Sequence, residues 1–573
     1  MKCSQSFRKL TGWRRVQLSG FLVLPLMLLA VAPCAFSFTP VAARHGMVAS
    51  SEPLATDVGV AILRDGGNAV DAAVAVGFAL AVTHPVAGNL GGGGFMLIRL
   101  AKGDAVVVDY REAAPAAASR NMYLTSSGQL SAEDSTVGAR AAAVPGSVAG
   151  LVLAEQKYGR LGLARVIAPA IRLAEQGFPV SYGLSQSLRG DQKLLSQFDA
   201  SRRIFLRAGR LYQPGELFRQ PELASTLQAV ARQGAKGFYT GWVAQAVAAT
   251  MRKYHGLISA PDLAQYRPVL RAPLAGHFRG CALLTPPPPS SGGVVLIEML
   301  NILEPLDLGG PHSFASMHLI GEAMRHAYAD RAAYLGDADF ASVPVARLTS
   351  PAYAAKLREE ILRSRVGAPI QAGNPRAFES LETTHYSVVD DEGNAVANTY
   401  TLNNGYGCGV TVEGAGFLLN DEMDDFAVQP GKPNMFGLVQ GEANAIAPHK
   451  RPLSSMTPTI VLEDGQLRLV LGSPGGGTII NTVLEVLLNV LVFKMDVLQA
   501  VSFPRFHHQW MPDRLILERL GFSEDTLQKL REAGYAIQFT DRIGDCEAIE
   551  IDARSGWKFG AADPRAEGKA AGY

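Results

Sequence analysis

The hydrophobic pattern of this chain changes its period near residue 385. Before that point segments with helical spacing predominate, whereas from His385 onward apolar residues recur at every second position, as in half-buried strands. Because helices and strands occur in separate runs, the pattern favours an α+β organisation of layered sheets covered by helices. The length of 573 residues allows several domains, or one unusually large domain with an ample core.

Helical patterns and two short buried strands account for most of the chain before residue 366. The strand 105–110 delivers Arg111 at its end, and the pair Gly66-Gly67 is predicted to end the first helix. Helices are predicted at 56–64, 69–82, 147–158, 163–176, 221–233, 242–254 and 294–303 and over much of 313–365, and strands at 95–98 and 105–110.

Strand patterns dominate the chain after residue 384. The alternating runs 385–389 and 395–402, joined by a turn that contains Gly393, predict a β-hairpin. The polar stretch 371–382 just before the hairpin is typical of an exposed loop and of a natural cleavage site. Further strands are predicted at 416–419, 459–462 and 467–471, and a helix at 479–493.

The first 37 residues have the pattern of a secretory signal peptide. The basic residues Arg8, Lys9, Arg14 and Arg15 precede an apolar run at 21–31, and Ala35 and Ser37 supply the small residues of a cleavage site. The apolar run is short for a membrane span, so we predict export with cleavage near Ser37 and no stable membrane insertion afterwards. An uncleaved anchor is the alternative interpretation of the same segment.

The charge balance and the absence of several motifs exclude other function classes. A formal net charge of +1 gives no basic surface for nucleic acid. Neither Cys-x-x-Cys nor His-Glu-x-x-His occurs, and the pair His507-His508 has no spaced partners, so it is more typical of packing than of a metal site. The glycine run 91–94 lacks the spacing of a dinucleotide fingerprint. We therefore expect no metal, nucleotide or prosthetic group.

Three cysteines remain after the predicted signal peptide, namely Cys281, Cys408 and Cys546. An odd number of widely spaced cysteines argues against a disulfide framework in an exported protein. A single bridge stays open, and the sequence does not indicate which pair would form it.

The junction Glu382-Thr383-Thr384-His385 lies where the polar loop meets the hairpin. A threonine pair is common at the start of a strand and by itself predicts no chemistry. Other motifs accompany it in order, however, and together they strongly resemble the γ-glutamyltranspeptidase family over essentially the whole chain after the signal. These motifs are Asp-Tyr-Arg-Glu-Ala-Ala-Pro (109–115), Pro-Pro-Pro-Ser-Ser-Gly-Gly (287–293), Thr-Thr-His-Tyr-Ser-Val-Val-Asp (383–390), Thr-Tyr-Thr-Leu-Asn (399–403), Asn-Asp-Glu-Met-Asp-Asp-Phe (420–426), Lys-Arg-Pro-Leu-Ser-Ser-Met (450–456), Gly-Ser-Pro-Gly-Gly-Gly (472–477) and the ending 561–573.

The resemblance implies an N-terminal nucleophile hydrolase, a four-layer αββα sandwich made as a precursor that cuts itself between Glu382 and Thr383. Its parts would be a signal peptide (1–37), a large subunit (38–382) and a small catalytic subunit (383–573), the last two forming a heterodimer. The chemistry is coherent, because cleavage would release an α-amino group with a pKa of roughly 8 beside a weakly nucleophilic hydroxyl. The same residue would then supply both nucleophile and base, and the chain has no Gly-x-Ser-x-Gly motif for a serine triad.

The resemblance also implies roles for other residues of the site. Thr401 would orient the Thr383 hydroxyl or amine, and the N–H groups of Gly475 and Gly476 would bind the tetrahedral oxyanion. A guanidinium fork suits a carboxylate, so Arg111 would hold the substrate α-carboxylate. Alone, each of these residues has an ordinary structural explanation. The remaining implied roles are Ser454 and Ser455 with Arg111 on the α-carboxylate, and Asp425, Asn403 and Glu422 on the α-ammonium.

The segment 429–437 matches the lid loop of bacterial members of the family. Phe436 occupies the gating position, where familiar members have tyrosine; phenylalanine still covers the pocket with apolar surface but lacks the hydroxyl donor. We expect this difference to affect gating and the balance between hydrolysis and transfer.

The function implied is transfer of a γ-glutamyl group from glutathione or related donors, through an ester on Thr383, to water, amino acids or dipeptides. The alternative on the same fold is a cephalosporin (glutaryl) acylase, which Asp425 disfavours because a glutaryl group has no ammonium. An exported binding protein that does not process itself is a further alternative, which intact Thr383, Thr401, Gly475 and Gly476 disfavour. With its signal sequence, a bacterial-style chain of this kind is expected in the periplasm, or secreted beyond it.

Overall fold

A computed structural model describes residues 39–363 and 383–573. The strands in these two ranges are β1 (Val41–Ala43), β2 (Met47–Ser50), β3 (Gly93–Arg99), β4 (Ala105–Asp109), β5 (Phe178–Pro179), β6 (Leu217–Phe218), β7 (Val269–Arg271), β8 (Leu274–Phe278), β9 (Cys281–Thr285), β10 (Thr384–Val389), β11 (Ala395–Thr401), β12 (Thr459–Glu463), β13 (Gln466–Gly472), β14 (Phe506–His507), β15 (Leu515–Glu518), β16 (Ile537–Thr540), β17 (Glu547–Ile551), β18 (Lys558–Ala561) and β19 (Lys569–Gly572).

The helices occur mainly before residue 364, with three more near the C-terminus. They are α1 (Pro53–Arg64), α2 (Ala69–Thr83), α3 (Ala132–Thr136), α4 (Ser147–Tyr158), α5 (Leu163–Gln176), α6 (Tyr182–Gly190), α7 (Gln192–Leu195), α8 (Asp199–Phe205), α9 (Pro221–Gln233), α10 (Lys236–Tyr239), α11 (Gly241–Lys253), α12 (Ala260–Gln265), α13 (Gly292–Leu303), α14 (Phe314–Tyr334), α15 (Val345–Leu348), α16 (Pro351–Arg363), α17 (Ile479–Leu491), α18 (Val497–Ser502) and α19 (Glu524–Ala533).

Two seven-stranded antiparallel sheets form the centre of the described chain. Sheet I has the strand order β19-β2-β10-β11-β3-β4-β7, and sheet II has the order β1-β18-β17-β13-β12-β9-β8. Each sheet combines strands from before residue 364 with strands from after residue 382, so that β10 pairs with both β2 and β11, and β12 pairs with β9. The hairpin predicted at 385–402 is therefore the middle of sheet I.

Apolar side chains fill the space between the two sheets. Phe95 and Leu97 of sheet I pack with Val470 and Ile549 of sheet II in one buried cluster. Strands that are buried on both faces need a second apolar layer outside, and helices provide it. The result is a sandwich of four layers, helix–sheet–sheet–helix, as predicted.

The helices that cover the sheets are buried around most or all of their circumference. Every residue of α2 is buried against sheet I, and an Asn68–Asp71 capping box satisfies the N–H groups at its start. Every residue of α17 is likewise buried, together with most of α13, against sheet II. Their sequences are largely apolar, as expected for helices in a protein interior, and the polar residues of α17 (Asn481, Glu485 and Asn489) lie on one face.

Most elements agree with the sequence predictions. The helices predicted at 147–158, 163–176 and 221–233 have those bounds, and Gly66 follows the end of α1 with a φ of +87°. The strand predicted at 416–419 is wrong. That segment forms only isolated bridges, because Gly414 and Gly416 adopt positive φ angles and turn the backbone out of an extended path.

Three predictions fall on residues that the structure does not describe: the signal peptide 1–37, the exposed loop 371–382 and the cleavage residue Glu382. In the described ranges, none of the helices combines the length and apolar character needed to cross a membrane. Cys281, Cys408 and Cys546 are all buried and unbridged.

Candidate active site

Thr383 and Thr401 meet at the end of the central hairpin of sheet I. Thr383 directly precedes β10, and its Oγ1 donates a hydrogen bond to Oγ1 of Thr401, the last residue of β11, at 3.3 Å. The Thr401 hydroxyl also accepts the backbone N–H of Asn403 at 2.9 Å, and the Thr401 carbonyl accepts Asn89 Nδ2 at 2.9 Å. These bonds fix Thr401, so that its hydroxyl forms a defined partner for Thr383.

The glycine loop after β13 lies beside this pair. Gly475 and Gly476 have φ angles of +132° and +52°, which favour glycine. Thr478 caps the loop, since both its N–H and its hydroxyl donate to the Gly475 carbonyl at 2.9 Å. Gly476 lines the same cavity as Thr383, whereas Gly475 lies next to it in the loop.

A small cavity of about 20 Å³ brings the predicted site residues together. Its walls come from the ends of β10 and β11, from the segments just before β12 and just after β13, from the 422–425 turn and from the 434–438 segment. Residues from distant parts of the sequence therefore meet in one cavity. The predicted residues that line it are Arg111, Thr383, Thr401, Asn403, Glu422, Asp425, Phe436, Ser454, Ser455 and Gly476.

Arg111 is fully buried at the end of β4 and already has acidic partners. Its Nη1 binds Glu422, its Nη2 donates to Asp425 Oδ2 at 2.5 Å, and its Nε donates to the Pro452 carbonyl at 3.1 Å. The structure thus places the residue expected on the substrate carboxylate directly against the two acids expected on the substrate ammonium. The site therefore contains the guanidinium expected to bind the substrate carboxylate and the acids expected to bind the substrate ammonium. In the structure these groups pair with each other.

The acidic side chains around Arg111 are strongly perturbed. Burial raises the pKa of Glu112 to about 7, and it raises the pKa values of Glu422 and Asp425, with the Arg111 charge opposing the rise in each case. Burial alone would lower the pKa of Arg111, but the neighbouring carboxylates raise it above its ordinary value. Three carboxyl groups therefore share one guanidinium. The carboxyl groups that this guanidinium does not neutralise can bind a second cationic group.

Ser454 and Ser455 also line the cavity. Ser454 Oγ accepts the Met456 N–H at 3.1 Å, and Ser455 Oγ accepts Arg331 Nη2 at 3.1 Å. The Ser454 carbonyl accepts both the N–H of Ser291, at 2.8 Å, and its hydroxyl, at 2.6 Å. The Pro-Ser-Gly motif at 287–293 thus braces the serine pair.

The sequence predictions omitted Arg331, Glu112 and Ser291. Glu112 and Ser291 lie within motifs that were recognised but to which no individual role was assigned. Arg331 lies in the last turn of α14, where its only local signal is helical spacing, and only the tertiary fold brings it to Ser455.

The 434–438 segment closes the cavity. Phe436 is buried, its N–H donates to Asn434 Oδ1 at 3.0 Å, and its carbonyl accepts Gln509 Nε2 at 3.2 Å. Asn434 Nδ2 also donates to Asp425 Oδ1 at 3.2 Å, which connects the 434–438 segment to the acidic side chains of the cavity. A Cβ on Gly476 would lie only 2.8 Å from the Phe436 ring, so ring and glycine loop are in close contact.

The described residues contain no group of three or more His, Cys, Asp or Glu side chains arranged to hold a metal ion. His507 is buried instead and shares hydrogen bonds with Asn481 Nδ2 at 2.7 Å and Gln509 Oε1 at 2.9 Å. Burial lowers the pKa of His507 to about 4, as expected for a neutral packed imidazole.

Comparison with known proteins gives similarity along nearly the whole chain. A family model described as Gamma-glutamyltranspeptidase matches residues 55–573. The glutathione hydrolase proenzyme of Escherichia coli (strain K12) is 46% identical over 542 residues, which are 94% of this chain and 93% of that protein.

Solved structures show the same similarity. The crystal structure of cephalosporin acylase from Bacillus halodurans has a TM-score of 0.82 at 27% identity, covering 95% of this chain and 99% of that one. Helicobacter pylori γ-glutamyltranspeptidase has a TM-score of 0.54 at 46% identity, covering 55% of this chain and 90% of that one.

Proposed function

Because the chain belongs to the γ-glutamyltranspeptidase family, we propose that it is a γ-glutamyltransferase and glutathione hydrolase of the N-terminal nucleophile hydrolase fold. The observation that carries the proposal is that the Thr383 hydroxyl shares one cavity with a buried guanidinium, buried acids and a serine pair. A nucleophile, a carboxylate site and an ammonium site are the three parts that recognition and cleavage of a γ-glutamyl group require.

The reaction follows from a cut before Thr383. The Thr383 hydroxyl oxygen attacks the γ-carbonyl carbon, and the newly exposed α-amino group of Thr383 accepts the hydroxyl proton. The N–H groups of Gly475 and Gly476 donate to the resulting oxyanion. When the carbon–nitrogen bond breaks, the leaving amine takes the proton and the glutamyl group remains as an ester on Thr383. Water or an acceptor amine then repeats these steps in reverse order and restores the hydroxyl.

Substrate recognition replaces one set of ion pairs by another. In the structure Arg111 binds Glu422 and Asp425. A γ-glutamyl donor brings an ammonium, which takes the place of the guanidinium against these acids, and an α-carboxylate, which takes the place of the acids against Arg111. Since each charge keeps an opposite partner throughout, the buried site does not have to hold an unpaired ion. Asn403 completes the ammonium side, and Ser454 and Ser455 the carboxylate side.

The second candidate is a cephalosporin (glutaryl) acylase, which is favoured by the TM-score of 0.82 to a structure of that name. A glutaryl group carries a carboxylate but no ammonium. A glutaryl donor would leave Asp425 and Glu422 without an ammonium to bind. Because γ-glutamyl donors supply that ammonium, they are the better match.

Maturation and location belong to the same proposal. The relatives named proenzymes support a precursor that separates into a large subunit ending at Glu382 and a small one beginning at Thr383, which stay together as a heterodimer. The pattern of residues 1–37 supports export to the periplasm, with secretion beyond it as the alternative.

The test uses the full-length wild-type chain. We expect two fragments on a denaturing gel, with the N-terminal sequence of the small fragment starting at Thr383. Release of nitroaniline from the L-γ-glutamyl 4-nitroanilide should be at least tenfold faster than from the glutaryl 4-nitroanilide. Faster release from the glutaryl compound would assign the protein to the acylases instead. An active preparation with an intact bond between residues 382 and 383 would refute the mechanism.

A further inference from the structure

A second buried guanidinium reaches the site from helix α14. Arg331 is only 2% exposed, and it donates from Nε to Ser291 Oγ at 2.9 Å and from Nη2 to Ser455 Oγ at 3.1 Å. It thereby links the brace segment 287–293 to the serine pair. Its remaining nitrogen, Nη1, is buried and has no hydrogen-bond partner within the described ranges. An arginine placed this deep without a carboxylate partner calls for a functional explanation.

The bonds of Arg331 fix the direction in which a serine hydroxyl can donate. Because Ser455 Oγ accepts a hydrogen bond from Arg331, its own proton must point away from the guanidinium. Ser454 Oγ accepts the Met456 N–H, with the same consequence. Neither hydroxyl proton has an acceptor among the described residues, and both serines line the cavity. Both hydroxyls can therefore donate to a group bound in the cavity.

Arg331 also supplies positive charge on the serine side. The charge of Arg111 is offset by its contacts with Glu422 and Asp425. Within the part of the chain that the structure describes, Arg331 forms no ion pair, although it lies close enough to Asp425 and Arg111 to interact with both electrostatically. A carboxylate bound to the serine hydroxyls would thus be bound next to a cation whose charge is not already matched.

One turn earlier on α14, Tyr328 contacts the glycine loop. Its hydroxyl donates to the Gly477 carbonyl at 2.5 Å. Residues three apart on a helix lie on the same face, so Tyr328 and Arg331 brace the glycine loop and the serine pair from one rigid element. The spacing between the oxyanion donors and the carboxylate donors is set by this helix face.

We propose that Arg331 is a positioning and specificity residue, which holds the Ser455 hydroxyl as a donor for the substrate α-carboxylate and provides the cation behind it. This inference rests on the proposed function. Arg331 does not touch the reacting atoms, and it acts through Ser455. Its loss should therefore weaken binding of the γ-glutamyl group rather than slow the chemical step.

The test compares Arg331→Lys, which keeps the charge but not the fork, with Arg325→Lys. Arg325 lies on the same helix and is equally buried, but it donates to Glu322 at 3.4 Å and to Asp513 at 3.1 Å, outside the cavity. For Arg331→Lys we expect KM for the γ-glutamyl anilide to rise about tenfold, kcat to change less than threefold, and L-glutamate affinity, measured by calorimetry, to fall about tenfold. Arg325→Lys should leave both KM and L-glutamate affinity within twofold of wild type.

A double-mutant cycle establishes the route of the effect. If Arg331 acts through Ser455, Arg331→Lys should change L-glutamate affinity less than twofold in a Ser455→Ala background. The inference is overturned if the double variant loses L-glutamate affinity by the product of the two single-variant factors. It is also overturned if folded Arg331→Lys binds L-glutamate as tightly as wild type. Arg331→Gln, which keeps an amide donor but not the charge, is measured in the same way if the lysine variant does not fold.

Failure of the proposed function has a different signature. If the wild-type protein releases no nitroaniline from the γ-glutamyl 4-nitroanilide, the proposed reaction is wrong. The L-glutamate affinities of wild type and Arg331→Lys still test the role of Arg331 in that case. Absence of L-glutamate binding by the wild-type protein overturns the inference about Arg331 as well.

Discussion

The hydroxyl of Thr383 donates to the hydroxyl of Thr401 across the end of the β10–β11 hairpin, at 3.3 Å. Both side chains are buried, and the Thr401 oxygen is held from behind by the Asn403 N–H. A nucleophile whose hydroxyl has one fixed neighbour is restricted to few rotamers, which is the condition for attack along a single direction.

Thr383→Ala should give one uncut and inactive polypeptide, because the variant has no hydroxyl to attack either the preceding peptide bond or a substrate. A denaturing gel and an anilide assay measure the two effects. Thr384→Ser is the control: Thr384 bonds to Ser51 Oγ at 3.3 Å and does not line the cavity, so this variant should be cut and active. A processed, active Thr383→Ala protein would contradict the assignment of the nucleophile.

Thr401→Val should slow both self-cleavage and turnover by about 100-fold, since it keeps the side-chain shape but removes the partner of the Thr383 hydroxyl. Time courses on gels and kcat measurements give the two rates. Thr401→Ser, which retains the hydroxyl, should recover most of the rate. Equal behaviour of the valine and serine variants would mean that Thr401 has only a packing role.

Alanine at Gly475 or Gly476 should reduce kcat by about 100-fold or more, because the backbone must shift and the oxyanion donors move with it. A Cβ on Gly475 would overlap Thr478 Oγ1, and one on Gly476 would contact the Phe436 ring. Gly465→Ala is the matched control, since Gly465 has a φ of +77° but open space around it. Its strain should lower the melting temperature without lowering kcat, and a comparable loss of kcat there would remove the support for an oxyanion loop.

Asp425→Asn should raise KM for the γ-glutamyl anilide about 10- to 100-fold, because a charged hydrogen bond to the substrate ammonium is lost. The glutaryl anilide has no ammonium, so its turnover by the same variant should fall less than threefold. The ratio of the two kcat/KM values is the measurement. Equal losses on both donors would indicate that Asp425 acts only by holding Arg111.

Glu298→Gln should stabilise the protein increasingly as pH rises from about 5 to 8. Burial and the adjacent Asp330 raise the pKa of Glu298 well above its ordinary value. Between the unfolded and folded pKa values only the folded chain keeps this proton, so stability falls with rising pH, by up to about 1.4 kcal/mol per pH unit. Glutamine removes this dependence.

Melting temperatures of wild type and Glu298→Gln, measured at several pH values, test the sign. The difference between the two proteins should be smallest at the acid end of the range. Glu360→Gln, at an exposed position of α16, should run parallel to wild type at every pH. A Glu298→Gln curve parallel to wild type would show that this carboxyl does not hold a proton in the folded state.

Local patterns were sufficient to predict the elements and the motifs. The helix at 147–158 and the hairpin beginning at His385 followed from apolar spacing and turn residues. The strand at 416–419 failed because Gly414 and Gly416, before and at the start of the apolar run, have positive φ angles that are not extended. Apolar composition alone does not report the backbone conformation.

Contacts between residues that lie far apart in the chain could not be predicted from the sequence. Nothing near Arg331 in the chain indicates that it meets Ser455, because the contact joins residues more than one hundred positions apart through the packing of α14. The pairing of Arg111 with its acids was also missed, since each residue had been assigned to a substrate group rather than to one another. Motifs therefore identified the components of the site, and the fold determines how they are paired.

The strand order of the two sheets has a consequence for what a cut at position 382 would do. Strands from either side of it alternate, with β2 lying between β19 and β10, and β11 next to β3. Cutting the backbone there breaks none of the strand pairings. The two polypeptides therefore remain joined by backbone hydrogen bonds between strands in both sheets. Dissociating them would require unzipping both sheets, so the mature pieces should come apart only when the whole molecule denatures.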